Sequence, residues 1–569
     1  MNVVRTTVAR LLAIIGVSIA MATSVAAQHL PDSVRTAGIT VEEWRLVQDE
    51  VRRTAVELQV SEAALQAIAE RLGLAFSGRG RRVDVNQIIE LIEARGAELR
   101  TLLDRLALLE RDADSETSRL LRDARSAIDS GNLEAAERTL ESARQTARAA
   151  RAAAQLQEVL VIKAAAELHA LRFDFLGAAR LYAEAAEIAP DDAAGSQWAL
   201  RYFQAQALYE HGRTFGDQGA LREAVQVGFD QVLPLVPVHQ SPDEWAVSQT
   251  QIGVALQLLA ERGDDEALAA SVEAFERALG VLTIERQPLL WAEATHNLGM
   301  IWRVAGERGD IESLERSVLA FEQTLRVVRR DQDAASWATV QNSLGLSLFR
   351  LAEQGSADAL ARSIAAFEAA LSVRTPTADP SGWAETTNNL ANTLLERGAA
   401  GDRQALLRSI ETFEAALTVA TEQRSPATWA TMQMNLGRAL FAFGTPEALS
   451  RSVEAYESAL TVRTPAQDPQ GWAQTMNNLG LTLLAIGERG DRAALVRSLE
   501  IFEAARSVMT VDRDPLGWAS ATLNGAIALN AQGRGNEARA EAQAALRVFE
   551  RIQDTQDAQR ARDFIRAIQ

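Results

Sequence analysis

DPSGWAETTNNLANTLLERG, residues 379–398, reads as one helix with its own start and stop signals. Asp379 offers a capping carboxylate, and Pro380 suits the first helical turn because its missing N–H would find no partner there. At about 100° per residue, Trp383, Leu390 and Leu394 fall within ~20° of one direction and form a single buried stripe. Asn388, Asn389 and Asn392 lie at about 140°, −120° and 180° from Trp383, on the face turned away from that stripe. Asparagine is a poor helix residue because its amide competes for backbone groups, so three within five positions call for a reason.

The stretch is one copy of a repeating unit. Trp245, Trp291, Trp337, Trp383 and Trp429 are each 46 residues apart; the interval to Trp472 is 43 and that to Trp518 is again 46. Self-similarity at this period marks a solenoid of stacked units. The short interval arises where ERGDRAAL at 488–495 is matched by GTPEAL at 444–449, so the deletion falls in a loop. An alanine follows every one of these tryptophans, and an aromatic recurs later in each unit, from Phe275 and Phe321 to Tyr456 and Phe502. Each unit therefore reads as two helices. Helix A starts at Ser-Pro or Asp-Pro, as at Ser241-Pro242, Ser425-Pro426 and Asp468-Pro469. Gly-Asp pairs such as Gly309-Asp310 and Gly401-Asp402 join a left-handed stop to an N-cap for helix B, which carries R-S-[IV]-x-x-[FY]-E-x-[AT]-L. The E-R-G-D stretches at 261–264, 307–310 and 488–491 are that turn and not an adhesion signal.

With these columns in register, the units resemble tetratricopeptide repeats (TPRs) lengthened from the usual ~34 residues, and in particular exported bacterial proteins built on P-x-x-W-A-x-x-x-N-L-G. Leu390, Ala391 and Leu394 occupy the family's first-helix Leu, Gly and large-residue positions, and Ser409, Phe413 and Ala416 its second-helix Ala, Phe and Ala positions. Gly253, Gly299, Gly345, Gly437 and Gly480 restore the family glycine that Ala391 replaces. Standard-length units flank the array, with Ala136, Leu140 and Ala143 in one, Ala178, Tyr182, Ala185 and Pro190 in another, and Ala538 and Ala545 in a third. The likeness spans residues 119–550 and implies an all-α, TPR-like α-solenoid, a right-handed superhelix of antiparallel helix pairs. The expected organisation is a signal peptide at 1–27, an N-terminal helical region at 28–118, near-standard units at 119–241, the extended repeats at 242–517, and a last repeat with a capping helix at 518–569.

Arg5 and Arg10, the apolar run Leu11–Ala22 and the small residues Val25-Ala26-Ala27 form the three-part pattern of a secretory signal, with cleavage expected after Ala27. A periplasmic or extracellular protein is expected, with no membrane insertion after cleavage. The chain has no cysteine, so no thiol chemistry or disulfide framework arises. Its formal net charge of −18 repels phosphate backbones, which argues against nucleic acid as a partner. GRGRR at 78–82 is the local exception and reads as a solvated loop. No phosphate-binding loop, nucleophile elbow or zinc-protease motif is present, and the five histidines show no ligand spacing. No catalysis, metal or cofactor is expected. Ahead of the repeats, Val60–Leu72 is amphipathic, and Ile92, Leu99, Leu102, Leu106 and Leu109 follow a heptad-like spacing. A helical cap is the reading preferred over a dimerising coiled coil, with self-association through these helices as the alternative.

The resemblance implies that the face of helix A carrying the asparagines lines an inner groove, where amides hold the backbone of an extended partner segment. One column holds Asn297, Asn389, Asn435, Asn478 and Asn524, and the column before it His296, Asn342, Asn388 and Asn477. A third column holds Asn392 and is apolar at Met300, Leu346 and Leu481, which would receive a partner's apolar side chains. For the Asn297 column the other reading is that the amides bond loop carbonyls or a neighbouring helix. The tryptophans read as core that seals one repeat onto the next, and the recurrent Glu and Arg of helix B as exposed ion pairs. The implied function is a non-enzymatic scaffold of the bacterial cell envelope that binds a protein or peptide; the alternative is a structural or self-assembling envelope protein.

Overall fold

The computed structural model describes residues 31, 34, 39–77, 85–113, 115–149, 154–189 and 194–568; the signal segment, GRGRR and Pro190 lie outside them. No strand occurs among the described residues, and contacts divide the chain into two units, residues 1–328 and 329–569.

The first unit holds α1 (Val41–Leu58), α2 (Glu62–Ser77), α3 (Val85–Asp112), α4 (Ser115–Asp129), α5 (Leu133–Ala149), α6 (Ala154–Leu171), α7 (Phe175–Ile188), α8 (Ala194–Phe215), α9 (Gln218–Val227), α10 (Pro242–Glu261), α11 (Asp265–Leu279), α12 (Pro288–Glu307) and α13 (Ile311–Thr324). Thr40 and Glu43 close a reciprocal capping box at the start of α1. Ile92, Leu99, Leu102 and Leu106 of α3 are all buried within one core with Trp44 and Val51 of α1, Leu65 of α2 and Leu121 of α4. These heptad-spaced residues thus face the chain's own core, with Leu109 partly buried against it.

The second unit holds α14 (Ala334–Glu353), α15 (Ala357–Leu371), α16 (Pro380–Ala399), α17 (Arg403–Leu417), α18 (Pro426–Phe443), α19 (Pro446–Val462), α20 (Pro469–Gly487), α21 (Arg492–Val508), α22 (Pro515–Ala531), α23 (Gly535–Arg551) and α24 (Thr555–Ala567). From α10 onward within each unit, helix A packs on its own helix B, on the helix B before it, and on the next helix A. This is the stacked helix-pair architecture of an all-α solenoid.

The local signals act as their chemistry dictates. Asp310 and Asp402 accept from the backbone amides of Ser313 and Ala405 at the starts of α13 and α17, and Asp379 and Asp468 do the same for Gly382 and Gly471 at the starts of α16 and α20. Ser241 and Ser425 depart from the expectation, since neither side chain makes a cap bond. The turn between the paired helices passes through a left-handed residue, with φ of 107° at Gly309 and 108° at Gly401, a conformation that glycine reaches without a Cβ penalty. In the short unit the turn is Gly444, at φ 74°, followed directly by the N-cap Thr445 and Pro446, so the three-residue deletion indeed lies in the loop.

The core of most repeats is a three-part lock, from which the Trp472 unit departs in that Ser498 donates to Leu495 O on its own helix. The aromatic of helix B is fully buried: Phe275, Phe321, Phe367, Phe413 and Phe502 are 0 % exposed and Tyr456 1 %. Its ring lies against the helix A glycine so closely that a Cβ built on Gly253, Gly299, Gly345, Gly437 or Gly480 would stand 2.5–3.0 Å from it. A serine one turn earlier on helix B donates its hydroxyl to the carbonyl of that same position: Ser317 to Gly299 at 2.7 Å, Ser363 to Gly345 at 2.8 Å and Ser409 to Ala391 at 2.7 Å. The serine that departs from the family alanine is therefore a fully buried polar group satisfied across the helix pair.

The tryptophans differ from the expectation. All seven from Trp245 to Trp518 are only half-buried, because they sit in the first turn of helix A, where packing reaches one side of the ring. They still pack between repeats, Trp245 with Trp291 and Trp472 with Trp518 on shared cores, while the helix B aromatic is the fully enclosed part of the seal. On the outer side, Arg408 pairs with Glu368, Arg451 with Glu414 and Arg497 with Glu457, each joining successive helices B. Both partners are about half exposed, so each pair contributes under about 1 kcal/mol.

An arginine that the sequence reading passed over braces the loop into helix A. In RTPTADP, residues 374–380, Arg374 Nη1 donates to Thr386 Oγ1 at 2.8 Å and Gly382 O at 3.2 Å, and Nη2 to Thr339 Oγ1 at 3.0 Å. In RTPAQDP, 463–469, Arg463 Nη2 reaches Thr431 Oγ1 at 2.7 Å and Nη1 reaches Thr475 Oγ1 at 3.4 Å.

Candidate functional site

The asparagines sit on the flank where one helix A meets the next. In the second unit they bond in pairs: Asn389 Nδ2 donates to Asn342 Oδ1 at 3.3 Å, Asn435 Nδ2 to Asn388 Oδ1 at 3.4 Å, and Asn524 Nδ2 to Asn477 Oδ1 at 3.0 Å. Asn342 also donates to Glu385 Oε1 at 3.4 Å. Asn342, Asn435 and Asn524 are buried, and a buried amide must be hydrogen-bonded to avoid a desolvation cost of about 1–3 kcal/mol. Three of the four junctions between successive helices A are tied this way. Asn392 turns back instead and donates to Asn388 O on its own helix at 3.0 Å.

The junction from α18 to α20 is different. The residue that should accept from Asn478 is Met434, whose thioether receives Arg463 Nη1 at 3.3 Å. Asn478 is half-buried, and while its backbone carbonyl accepts from Thr482 Oγ1 at 3.0 Å, its side-chain amide has no hydrogen-bond partner among the described residues. Beside it lies a cavity of about 220 Å³ walled by Leu395, Phe441, Tyr456 and Leu481. Arg438 and Glu396, 3.6 Å apart, stand at its margin. Phe441 is 37 % exposed there, one of the few large aromatics so placed. A free amide next to an apolar slot can accept and donate to a peptide backbone while one apolar side chain enters the slot. Leu346, the matching residue of the third column on α14, packs against the core around Phe367, as Leu481 does against the core around Phe502.

In the first unit, α12 carries His296, Asn297 and Met300, all half-buried. Burial pulls His296 down to about 4, so its ring is neutral; it lies 5.2 Å from the Phe321 ring, and its Nδ1 is buried without a partner. The Asn297 side-chain amide also has no hydrogen-bond partner among the described residues, since the position opposite it holds no asparagine. The preceding helix presents Thr250, whose hydroxyl donates to Ala246 O at 2.9 Å on its own helix. The sequence-derived set therefore divides. Asn342, Asn388 and Asn477 are bonded to Asn389, Asn435 and Asn524 of the next helix A, whereas Asn297 and Asn478 present amides unpaired among the described residues and Leu481 lines a cavity.

The division has a direct test in stability. Asn435→Ala should lower the denaturant-derived stability by about 0.5–1.5 kcal/mol by removing a buried hydrogen bond. Asn478→Ala should cost less than about 0.5 kcal/mol. Equal losses in chemical denaturation would contradict the pairing.

Among the described residues no group of three or more His, Cys, Asp or Glu could hold a metal ion, and no helix is long and apolar enough to cross a membrane.

No protein-family model matches the chain, and no curated protein matches it. Solved structures do. The Cut9–Hcn1 hetero-tetramer of the APC/C is 12 % identical over 97 % of this chain and 98 % of that one, with a TM-score of 0.33. A Rap protein complexed with competence and sporulation factor is 10 % identical over 71 % and 99 % of the two chains, TM-score 0.34. Yeast Tom70 is 11 % identical over 79 % and 95 %, TM-score 0.32. At these identities and scores the likenesses carry no argument about what this chain binds.

Proposed function

We propose that the chain is a non-enzymatic protein–protein interaction scaffold of the bacterial cell envelope, which takes an extended segment of a partner protein against the helix A surface of its second unit. The observation that carries the reading is the α18–α20 junction, where the amide ladder lapses at Met434 and leaves Asn478 unpaired beside the slot of Leu395, Phe441 and Leu481. A structural role alone would favour the amide pair found at the other junctions, since it ties neighbours together. His296, Asn297 and Met300 form a second contact set of the same kind on the first unit, and export through the N-terminal signal supplies the envelope setting.

The test is a crosslinked pull-down of the exported protein from its own extracytoplasmic fraction, comparing wild type with Leu481→Glu. Leu481→Glu should reduce recovery of the partner by about tenfold or more, because a carboxylate at the slot denies its apolar lining to a partner side chain, while circular dichroism shows the helices kept. Asn435→Ala, which touches only the ladder, should leave recovery unchanged. A Leu481→Glu variant that captures as wild type does would end the reading.

A further inference from the structure

A second cavity lies in the first unit, away from the asparagines, between α3, α6, α7 and α8. Its volume is about 380 Å³, within the range of small-molecule sites. Apolar and aromatic side chains form the floor, chiefly Leu171, Phe175, Tyr182, Phe203 and Ala207. Into this setting converge two guanidiniums, Arg95 and Arg105, and three carboxylates, Glu98, Glu167 and Glu210.

Each carboxylate already holds a cation. Glu98 accepts from Arg95 Nη1 at 2.6 Å, Glu167 is paired with Arg105, and Glu210 accepts from Arg213 at 2.7 Å. The surplus is on the donor side. Arg95 is only 5 % exposed, its guanidinium stands 5.2 Å from the rings of both Phe173 and Phe175, and its Nε has no hydrogen-bond partner. Its Nη2 is 3.9 Å from Glu210, too far for a hydrogen bond. Tyr182 is 7 % exposed, and its hydroxyl bonds nothing among the described residues; burial pushes the phenol up, so it stays a neutral donor. Lys163, the sole lysine of the chain, stands just outside the lining, 4.7 Å over the Phe203 ring, and forms no ion pair among the described residues. Burial and then the neighbouring Arg105 lower its pKa. In a chain of net charge −18, Arg95 and Tyr182 are buried donors with spare capacity at this cavity, bounded by aromatic faces. An oxyanion satisfies such donors, and the aromatic floor, where Tyr182 and Phe203 pack on each other with ring centroids 5.5 Å apart, offers a surface for a flat apolar body to lie against.

We propose that this cavity binds a small organic anion with a flat apolar body, an aromatic carboxylate or sulfonate, its oxyanion toward Arg95 and Arg105 and its ring against Phe203 and Tyr182. The site is independent of the partner-binding surface on the second unit.

The probe is 8-anilinonaphthalene-1-sulfonate, titrated by fluorescence into the full chain, with N-phenyl-1-naphthylamine as its uncharged counterpart. Saturable binding of the sulfonate is expected, with the uncharged dye at least tenfold weaker. Two exposed margin positions provide blocking variants, Ala97→Trp on α3 and Gln206→Trp on α8, each of which places a large ring over the mouth without touching the buried charges. Both should weaken sulfonate binding at least tenfold with circular dichroism and melting temperature unchanged. Undiminished binding in both variants, or equal affinity for the two dyes, would overturn the proposal.

Discussion

Replacing Phe367 by alanine is expected to lower the stability of the second unit by about 3–5 kcal/mol, the loss typical of emptying a fully buried aromatic site. The ring is 0 % exposed and packs with Ile364, Leu390, Leu394 and Ala405, so it joins its own helix pair to the next. Because stacked repeats derive stability from nearest-neighbour interfaces, the loss should be local first. Hydrogen exchange should show amides of α14 and α15 losing protection before those of α22 and α23, and the denaturant transition should shift or split. Trp383→Ala supplies the comparison. That indole is half-buried, so its truncation should cost about half as much. If Trp383→Ala proved the more damaging change, the helix B aromatic would not be the dominant part of the seal.

The second large effect is expected at Arg374. Its side chain is 11 % exposed and reaches helix A of its own repeat, through Thr339, and helix A of the next, through Gly382 and Thr386, with Asp379 3.4 Å from its Nε. Arg374→Ala removes three hydrogen bonds to a charged donor and leaves their acceptors partly desolvated, a loss of about 2–4 kcal/mol by guanidinium denaturation. Arg374→Lys should restore little of it, because one ammonium cannot match the fork of a guanidinium reaching three acceptors. Full recovery with lysine would show that charge alone matters at this position.

What was legible in the sequence was whatever is decided within one turn of chain. Pro380 and Asp379 start α16, Gly401 and Asp402 turn the chain into α17, and the missing residues before Thr445 shorten a loop; each depends on neighbours a few positions away. The roles of large side chains were less legible. Periodicity shows that Trp383 and Phe413 recur, but not that the first turn of helix A covers only one side of an indole while the middle of helix B is enclosed. The asparagines needed still more, since the partner of Asn435 is Asn388, 47 residues back. The signal was nevertheless present: a pair forms where one repeat has asparagine five residues after its tryptophan and the next has it six after, and Met434 interrupts that pattern. The cavity around Arg95 could not be foreseen, because α3, α6, α7 and α8 share no period from which their meeting could be read.

The amide ladder also makes the order of the repeats matter. Each bond draws one residue from either neighbour, so a repeat is defined partly by what it offers to the one that follows. The unit of Trp383 carries both Asn388 and Asn389 and could be followed by a copy of itself with the bond intact. The unit of Trp429 could not, because its Met434 would face the copy's Asn435, whereas excising that unit would bring Asn388 to face Asn478 and close the ladder. Duplication and loss, the ordinary means by which such arrays grow and shrink, would thus create or erase an unpaired amide in a single event, with no substitution at the surface itself.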